Sequence, residues 1–264
     1  MRRDRFLVNA RVVGALGARS IRQTLRRPQL VAPILIFPTL ILAVQTGGAG
    51  SAVDLPGFPE VDSFLQFMLA GAMVQALMLA GNSGGIALAV DIEMGFTDRL
   101  FAAPISRFAI VLGRLAGTAA LGLLIAIWFL AIGLIFGANI EEGIPGALVV
   151  IALVCLGATA MGGIGAAIAL RTGRASIVQG LFPLVLVILF VSSAFFPQDL
   201  MLEPARTIAE YNPLSFIAEG IRDPITFGYS AAALLKCLAA IAVIGLIGLA
   251  LSAAGLRHRL RTGG

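Results

Sequence analysis

The residues able to do chemistry are few, and they do not assemble into a catalytic set. Asp91, Glu93 and Asp98 lie close enough together to be imagined as ligands for a magnesium ion. They share their segment with arginines, however, and lack a second acidic cluster on the same side. A membrane-embedded enzyme acting on lipid phosphates is therefore only an alternative reading. A phosphate-gripping P-loop needs lysine directly after glycine. The single lysine, Lys236, instead follows Leu235 inside an apolar stretch, so no ATP chemistry is expected on this chain. One histidine and two cysteines, far apart in sequence, give no metal-ligand spacing. Cys155 and Cys237 both fall in apolar blocks, where they read as small buried side chains rather than a disulfide framework. No catalytic, cofactor-binding or metal-binding residue is expected. Gln66, Gln75, Asn82 and Gln179 are uncharged amides within apolar blocks. They could line a path or tie helices together.

What positions these groups is a membrane. Of 264 residues, 59% are hydrophobic and only 12% charged, and the net charge is +5. A soluble domain carries about 25% charged residues. The apolar residues come in blocks of about 20, the length a helix needs to cross the hydrocarbon. The alternation of a β-barrel is absent. The expected fold is an all-α membrane protein with six spans at about 29–47, 63–90, 107–137, 145–170, 175–196 and 231–256. Pro33 and Pro38 predict a kink or broken start in the first span. Pro183 lies in the middle of the fifth. Gly113-x-x-x-Gly117 and Gly133-x-x-x-Gly137 offer close-packing faces.

Arginine placement sets the orientation. Arg2, Arg3, Arg5, Arg11, Arg19, Arg22, Arg26 and Arg27 precede the first span. Arg99 and Arg107 follow the second, Arg171 and Arg174 the fourth, and Arg257, Arg259 and Arg261 the last. The intervening loops carry Asp54, Glu60 and Asp62, then Glu141 and Glu142, without Arg or Lys. The fifth loop is also acidic on balance. Both termini are thus expected in the cytoplasm, with no cleaved signal peptide. The bias toward Arg, Ala and Gly points to a GC-rich bacterial genome, hence to a bacterial plasma membrane.

Three segments fall outside the spans. Residues 1–28 form a cytoplasmic unit whose stretch 9–27 places Arg11, Arg19, Arg22 and Arg26 on one helical arc. This predicts an amphipathic interfacial helix facing anionic lipid or a partner; the other reading is a basic tail that only sets topology. Within the spanning unit, 29–264, residues 91–106 mix charge with Phe96, Leu100 and Phe101 and end near Pro104. They predict a short helix with an apolar face that needs a docking partner, against a plain solvated turn. The outer loop 197–230 predicts two short re-entrant helices broken at Asn212-Pro213, with Ser215 as a helix cap. Glu219 and Arg222, three residues apart, could pair with each other.

The order of these parts resembles the membrane subunits (permeases) of type-2 ABC exporters, the daunorubicin-resistance-like and polysaccharide-export-like proteins. Two stretches carry the resemblance. One is Glu93-x-Gly95-x-x-Asp98-Arg99-Leu100-x-x-x-Pro104-x-Ser106-Arg107, similar to that family's coupling-helix signature. It departs at Phe96, where a small polar residue is commoner. The other is Asn212-Pro213-Leu214-Ser215 through Glu219-Gly220-Ile221-Arg222. The resemblance implies a permease working with two cytoplasmic ATPase subunits, which would hold ATP and Mg, and with a second permease subunit as a homo- or heterodimer. It implies export of hydrophobic or amphipathic drugs or lipids. Glu93, Gly95, Phe96, Asp98, Arg99, Leu100, Phe101 and Pro104 would then contact the ATPase. The other alternative, an ion-coupled secondary transporter, calls for paired repeats or ionisable midplane sites, and neither is visible.

The charge asymmetry makes a direct prediction. Single cysteines at residues 3 and 262 should resist an impermeant maleimide applied from outside, while one at Glu60 should react. External labelling of either terminus would overturn the six-span topology.

Overall fold

The computed structural model describes residues 14–23, 26, 28–96 and 107–262, and these residues form helices and the turns between them, with no strand among them. A short helix, α1 (residues 14–23), leads into α2 (Pro28–Ala49), which a 3-10 turn extends over Gly50–Asp54. Next come α3 (Phe64–Glu93), α4 (Arg107–Ile135) and α5 (Gly143–Thr172). Two short helices follow, α6 (Ala175–Gly180) and α7 (Phe182–Phe190), then α8 (Ala205–Tyr211), α9 (Pro213–Thr226) and the long α10 (Ala231–Thr262). Five of these segments, α2, α3, α4, α5 and α10, are long and apolar enough to cross a membrane. The molecule is an all-α membrane protein.

The expected spans differ from the helices in two places. The first does not break at its prolines: α2 runs through both Pro33 and Pro38. The fifth is not one helix over 175–196. It divides at Leu181, and its helical part ends at Phe190. Pro183 opens α7 within its first two positions, because it has no N–H to continue the α6 ladder. Residues 175–190 span roughly 24 Å at 1.5 Å per residue, less than the hydrocarbon thickness.

α3 is the central element. It is apolar on every side, as a helix buried all round must be. Phe67, Met68, Met73 and Leu77 are fully enclosed, and α2, α4, α5, α6 and α9 pack around it. α3 meets α5 through glycine. A β-carbon on Gly85 would lie 2.7 Å from the Gly165 carbonyl oxygen, and one on Gly81 would meet the backbone of Met161. α5 meets α10 in the same way where Gly163 faces Gly248, and α4 meets α5 where Gly122 faces the backbone of Cys155. Small residues let helix backbones touch where hydrocarbon surroundings leave little hydrophobic drive. The glycine pairs singled out from sequence behave unequally. Gly133 accommodates Leu69, while Gly137 sits in the turn after α4 with φ +86°.

Loop contacts sort the molecule into two ends. At the acidic end, the Glu141 N–H donates to the Ile225 carbonyl and the Glu142 carboxylate accepts from the Tyr229 N–H. At the arginine end, α1 lies against α4, with Gly17 facing Ala116, and the end of α3 meets the start of α6.

These contacts predict which glycines matter. Gly165→Val should cost about 1–3 kcal/mol through overpacking and lower the unfolding midpoint in detergent. Gly47→Ala, at a position with open space around it, should leave the midpoint unchanged or slightly raised.

Candidate functional site

At the arginine end, α3 is closed by Gly95, whose φ of +68° suits glycine, and whose N–H donates to the Ile92 carbonyl at 2.9 Å. Of the coupling-helix residues read from sequence, Glu93, Gly95 and Phe96 are described. Asp98, Arg99, Leu100, Phe101 and Pro104 lie outside the described residues. The two described side chains engage this chain's own elements. Glu93 Oε1 accepts from the Ala175 N–H at 2.8 Å, capping the first turn of α6. The Arg19 guanidinium of α1 stacks on the Phe96 ring at 3.8 Å, a cation–π contact. The end of α3 is thereby joined to both α1 and α6.

Just above this junction is a cavity of about 390 Å³ between α2, α3 and α6. Asn82, Ser83 and Ile86 of α3 form one wall, Pro33, Ile34 and Phe37 of α2 another, and Gln29 and Gln179 line it as well. Two of the four amides singled out from sequence, Asn82 and Gln179, are therefore brought together. Gln29 and Ser83 join them and were missed. The signal was present, since Gln29, Pro33 and Phe37 repeat at four-residue spacing along one helix face.

The other two amides lie elsewhere. Gln66 ties the acidic end. Its Nε2 donates to the Asn139 and Ile225 carbonyls, both at 3.1 Å, and its Oε1 accepts from the Asp62 N–H. Ser63 caps the same helix by accepting from the Gln66 N–H. Gln75 is deep in the bundle, 1% exposed, and neither of its amide atoms has a hydrogen-bond partner among the described residues.

The acidic-end segment centres on Arg222. Asn212, not Ser215, caps α9. The Asn212 side chain accepts from the Leu214 N–H at 2.9 Å, Pro213 takes the first helical position, and Asn212 Nδ2 donates to the Ile188 carbonyl. Ser215 lies within the helix and accepts from the Ser193 N–H at 3.0 Å. The sequence misplaced this cap because Asn212, before Pro213, already supplies one three residues earlier. Arg222 is 4% exposed. Its guanidinium donates to the carbonyls of Phe67, Ser193 and Ala194 at 3.2, 3.0 and 2.9 Å and lies 3.9 Å over the Phe67 ring. The expected Glu219–Arg222 pair is indirect. Glu219 accepts from the Ser193 hydroxyl at 3.0 Å, while Arg222 takes the same residue's carbonyl. Both groups belong to α9, outside the five long membrane-crossing helices. Burial lowers Arg222 to about 10, against the opposing influence of Glu219 and Asp223. Burial raises Asp223 to about 6; Arg222 opposes that shift and Glu219 adds to it.

The chain matches the family model described as ABC-2 type transporter over residues 11–226. It is 31% identical to a putative transport permease, ycf38, of Porphyra purpurea, over 80% of this chain and 72% of that protein. It is 26% identical to the daunorubicin resistance ABC transporter permease protein DrrB1 of Streptomyces coeruleorubidus, over 81% of this chain and 75% of that one.

The two buried polar groups predict opposite responses to one kind of substitution. Arg222→Met strands the Ser193 and Ala194 carbonyls and should cost about 3 kcal/mol, read as a lower unfolding midpoint. Gln75→Met replaces an unpaired amide with an apolar chain of similar volume and should hold or raise the midpoint.

Proposed function

Because the chain belongs to the ABC-2 type transporter family, and so is a permease, the membrane subunit of an ABC transporter, we propose that it exports hydrophobic or amphipathic molecules at the expense of ATP hydrolysed on separate subunits. In this reading two copies of a cytoplasmic ATPase dock on the arginine end, and a second permease subunit completes the pathway. The chain crosses a bacterial plasma membrane six times, with α6 and α7 as the fifth crossing and both termini in the cytoplasm. The ATPases hold the ATP and Mg, and this chain has no catalytic residue of its own.

The observation that carries the proposal is the junction at the end of α3. The segment after Glu93 is where a cytoplasmic motor would push. Glu93 is hydrogen-bonded to the start of α6, and α6 carries Gln179 into the 390 Å³ cavity. A displacement at the docking segment is thus delivered to the wall of the cavity. That cavity offers a few amides on an otherwise apolar surface, the composition of small-molecule sites. It suits a cargo that is mostly apolar with one or two polar groups, and the relative named for daunorubicin resistance accords with such a cargo. Asp98, Arg99, Leu100, Phe101 and Pro104 complete the docking segment, with Leu100 and Phe101 as apolar anchors. Anchors of this kind carry much of an interface's energy.

Co-expression with the cognate ATPase tests this reading. Inside-out vesicles holding both proteins should accumulate a hydrophobic dye only with ATP. The Leu100→Ala/Phe101→Ala variant should insert normally but lose ATPase co-purification by about tenfold. Asn82→Leu or Gln179→Leu should change the dye's apparent KM and leave assembly intact. Uptake driven by a proton gradient without ATP would overturn the proposal.

A further inference from the structure

A second and larger cavity, of about 870 Å³, lies toward the acidic end between α2 and α4. Leu42 and Thr46 of α2, Trp128 and Ile132 of α4, Phe136 just after it and Phe64 at the start of α3 line it. It shares no lining residue with the cavity that holds Asn82 and Gln179. α2 separates the two. Its Pro33 and Phe37 line one, and its Thr39, Leu42 and Thr46 line the other.

We infer that this cavity is a binding site for the alkyl chain of a single-chain amphiphile with an uncharged or cationic head. Three observations lead there. First, the cavity lies between apolar faces of two helices long enough to cross a membrane, α2 and α4. Leu40, Val44, Ile135 and Phe136 on their flanks are exposed. Second, the walls are apolar and the volume is that of a small-molecule pocket. Third, the polar groups are few and define the head. Thr39 is already committed: its hydroxyl donates to the Leu35 carbonyl at 2.6 Å and accepts from the Trp128 indole N–H at 3.0 Å, which fixes the ring at the cavity wall. Thr46 is different. Its hydroxyl oxygen is buried and has no partner among the described residues. Asp62 and Ser63 lie at the loop end of the cavity, and neither Arg nor Lys lines it. A hydroxyl and a carboxylate together favour a head that donates hydrogen bonds and carries no negative charge.

A bilayer phospholipid offers the same kind of alkyl chain and is the competing occupant. The two share the alkyl chain and can be told apart. Trp128 is the only tryptophan of the protein and lines the cavity, so its fluorescence reports occupancy. The full chain in nanodiscs is titrated with a dibromoalkyl glucoside, whose bromines quench a neighbouring indole. Quenching should saturate at low mole fraction. Thr46→Phe and Gly47→Phe, two independent ways of filling the space, should each raise the half-saturating fraction by about tenfold. Thr46→Val, which keeps the volume and removes the hydroxyl, should raise it by a smaller factor. A dibromoalkanoate of the same chain length should bind more weakly than the glucoside. If brominated phosphatidylcholine quenches saturably and the glucoside only displaces it, the occupant is bilayer lipid and the single-chain assignment is overturned; phosphatidylcholine quenching in simple proportion supports the single-chain amphiphile. Quenching by every probe that rises in proportion to mole fraction and is unchanged in both filled variants would overturn the site. The measurement needs neither ATP nor an ATPase, so its failure would leave the export proposal standing.

Discussion

Close backbone approach is the constraint on which the bundle depends. A helix already surrounded by lipid tails gains little by burying more apolar surface, so association rests on dispersion, polar contacts and the distance at which backbones meet. The contact of Gly81 and Gly85 with Met161 and Gly165 sets that distance for α3 and α5, and Gly163 against Gly248 sets it for α5 and α10. With those seams closed, α3 is enclosed on every side. Both of its ends then become fixed points to which shorter elements attach. The acidic end takes α9 and the loops through Gln66, and the arginine end takes α6 through Glu93.

The acidic end shows how irregular backbone can be held against such a bundle. Residues 191–197 form turns rather than helix, and their carbonyls need partners. A buried cation is costly unless it is well solvated by the protein. Arg222 meets that condition with three carbonyls and an aromatic face, and two of those carbonyls belong to Ser193 and Ala194. Gly71 contributes from the other side, since it faces the Ala194 carbonyl where any side chain would intrude. One arginine thus solves two problems at once. It satisfies an otherwise stranded turn, and it pins α9 to the first part of α3. A lysine, with one compact point charge, could not reach the three acceptors in the same way.

Much of this architecture was legible because the bilayer acts on composition directly. Hydrocarbon thickness sets block length; the blocks at 145–170 and 231–256 fall within helices Gly143–Thr172 and Ala231–Thr262, and the block at 63–90 starts at the cap of helix Phe64–Glu93. The division of the fifth block was written in Pro183, but block length outweighed it. The partners of Arg222 and Gln66 were not legible, because they are backbone carbonyls from distant parts of the chain. A carbonyl carries no sequence signal. The sequence instead suggested Glu219 for Arg222 from its spacing along one helix, whereas the fold routes both side chains to Ser193. For the same reason the sequence weighed Gln66, Gln75, Asn82 and Gln179 alike, although they occupy three different environments.

The break at Leu181 gains a meaning from these attachments. A six-residue helix has little stability of its own, so α6 must follow whatever it is packed against. Val178 is buried in a cluster with Leu88 and Ile92 of α3 and Leu170 of α5, and the Ala175 N–H is held by Glu93. All of these contacts bind α6 to the arginine end of the bundle. α7, by contrast, continues toward the acidic end, where Asn212 takes the carbonyl of Ile188. A continuous helix would transmit any tilt at one end rigidly to the other. Two short helices joined at Leu181 transmit it less rigidly. Gln179 sits one turn from Ala175, roughly 6 Å along the helix axis, so it is anchored close to the end of α3. The arginine-end cavity is thus built on the junction of α3 and α6, while Arg222 holds the turns at the acidic end.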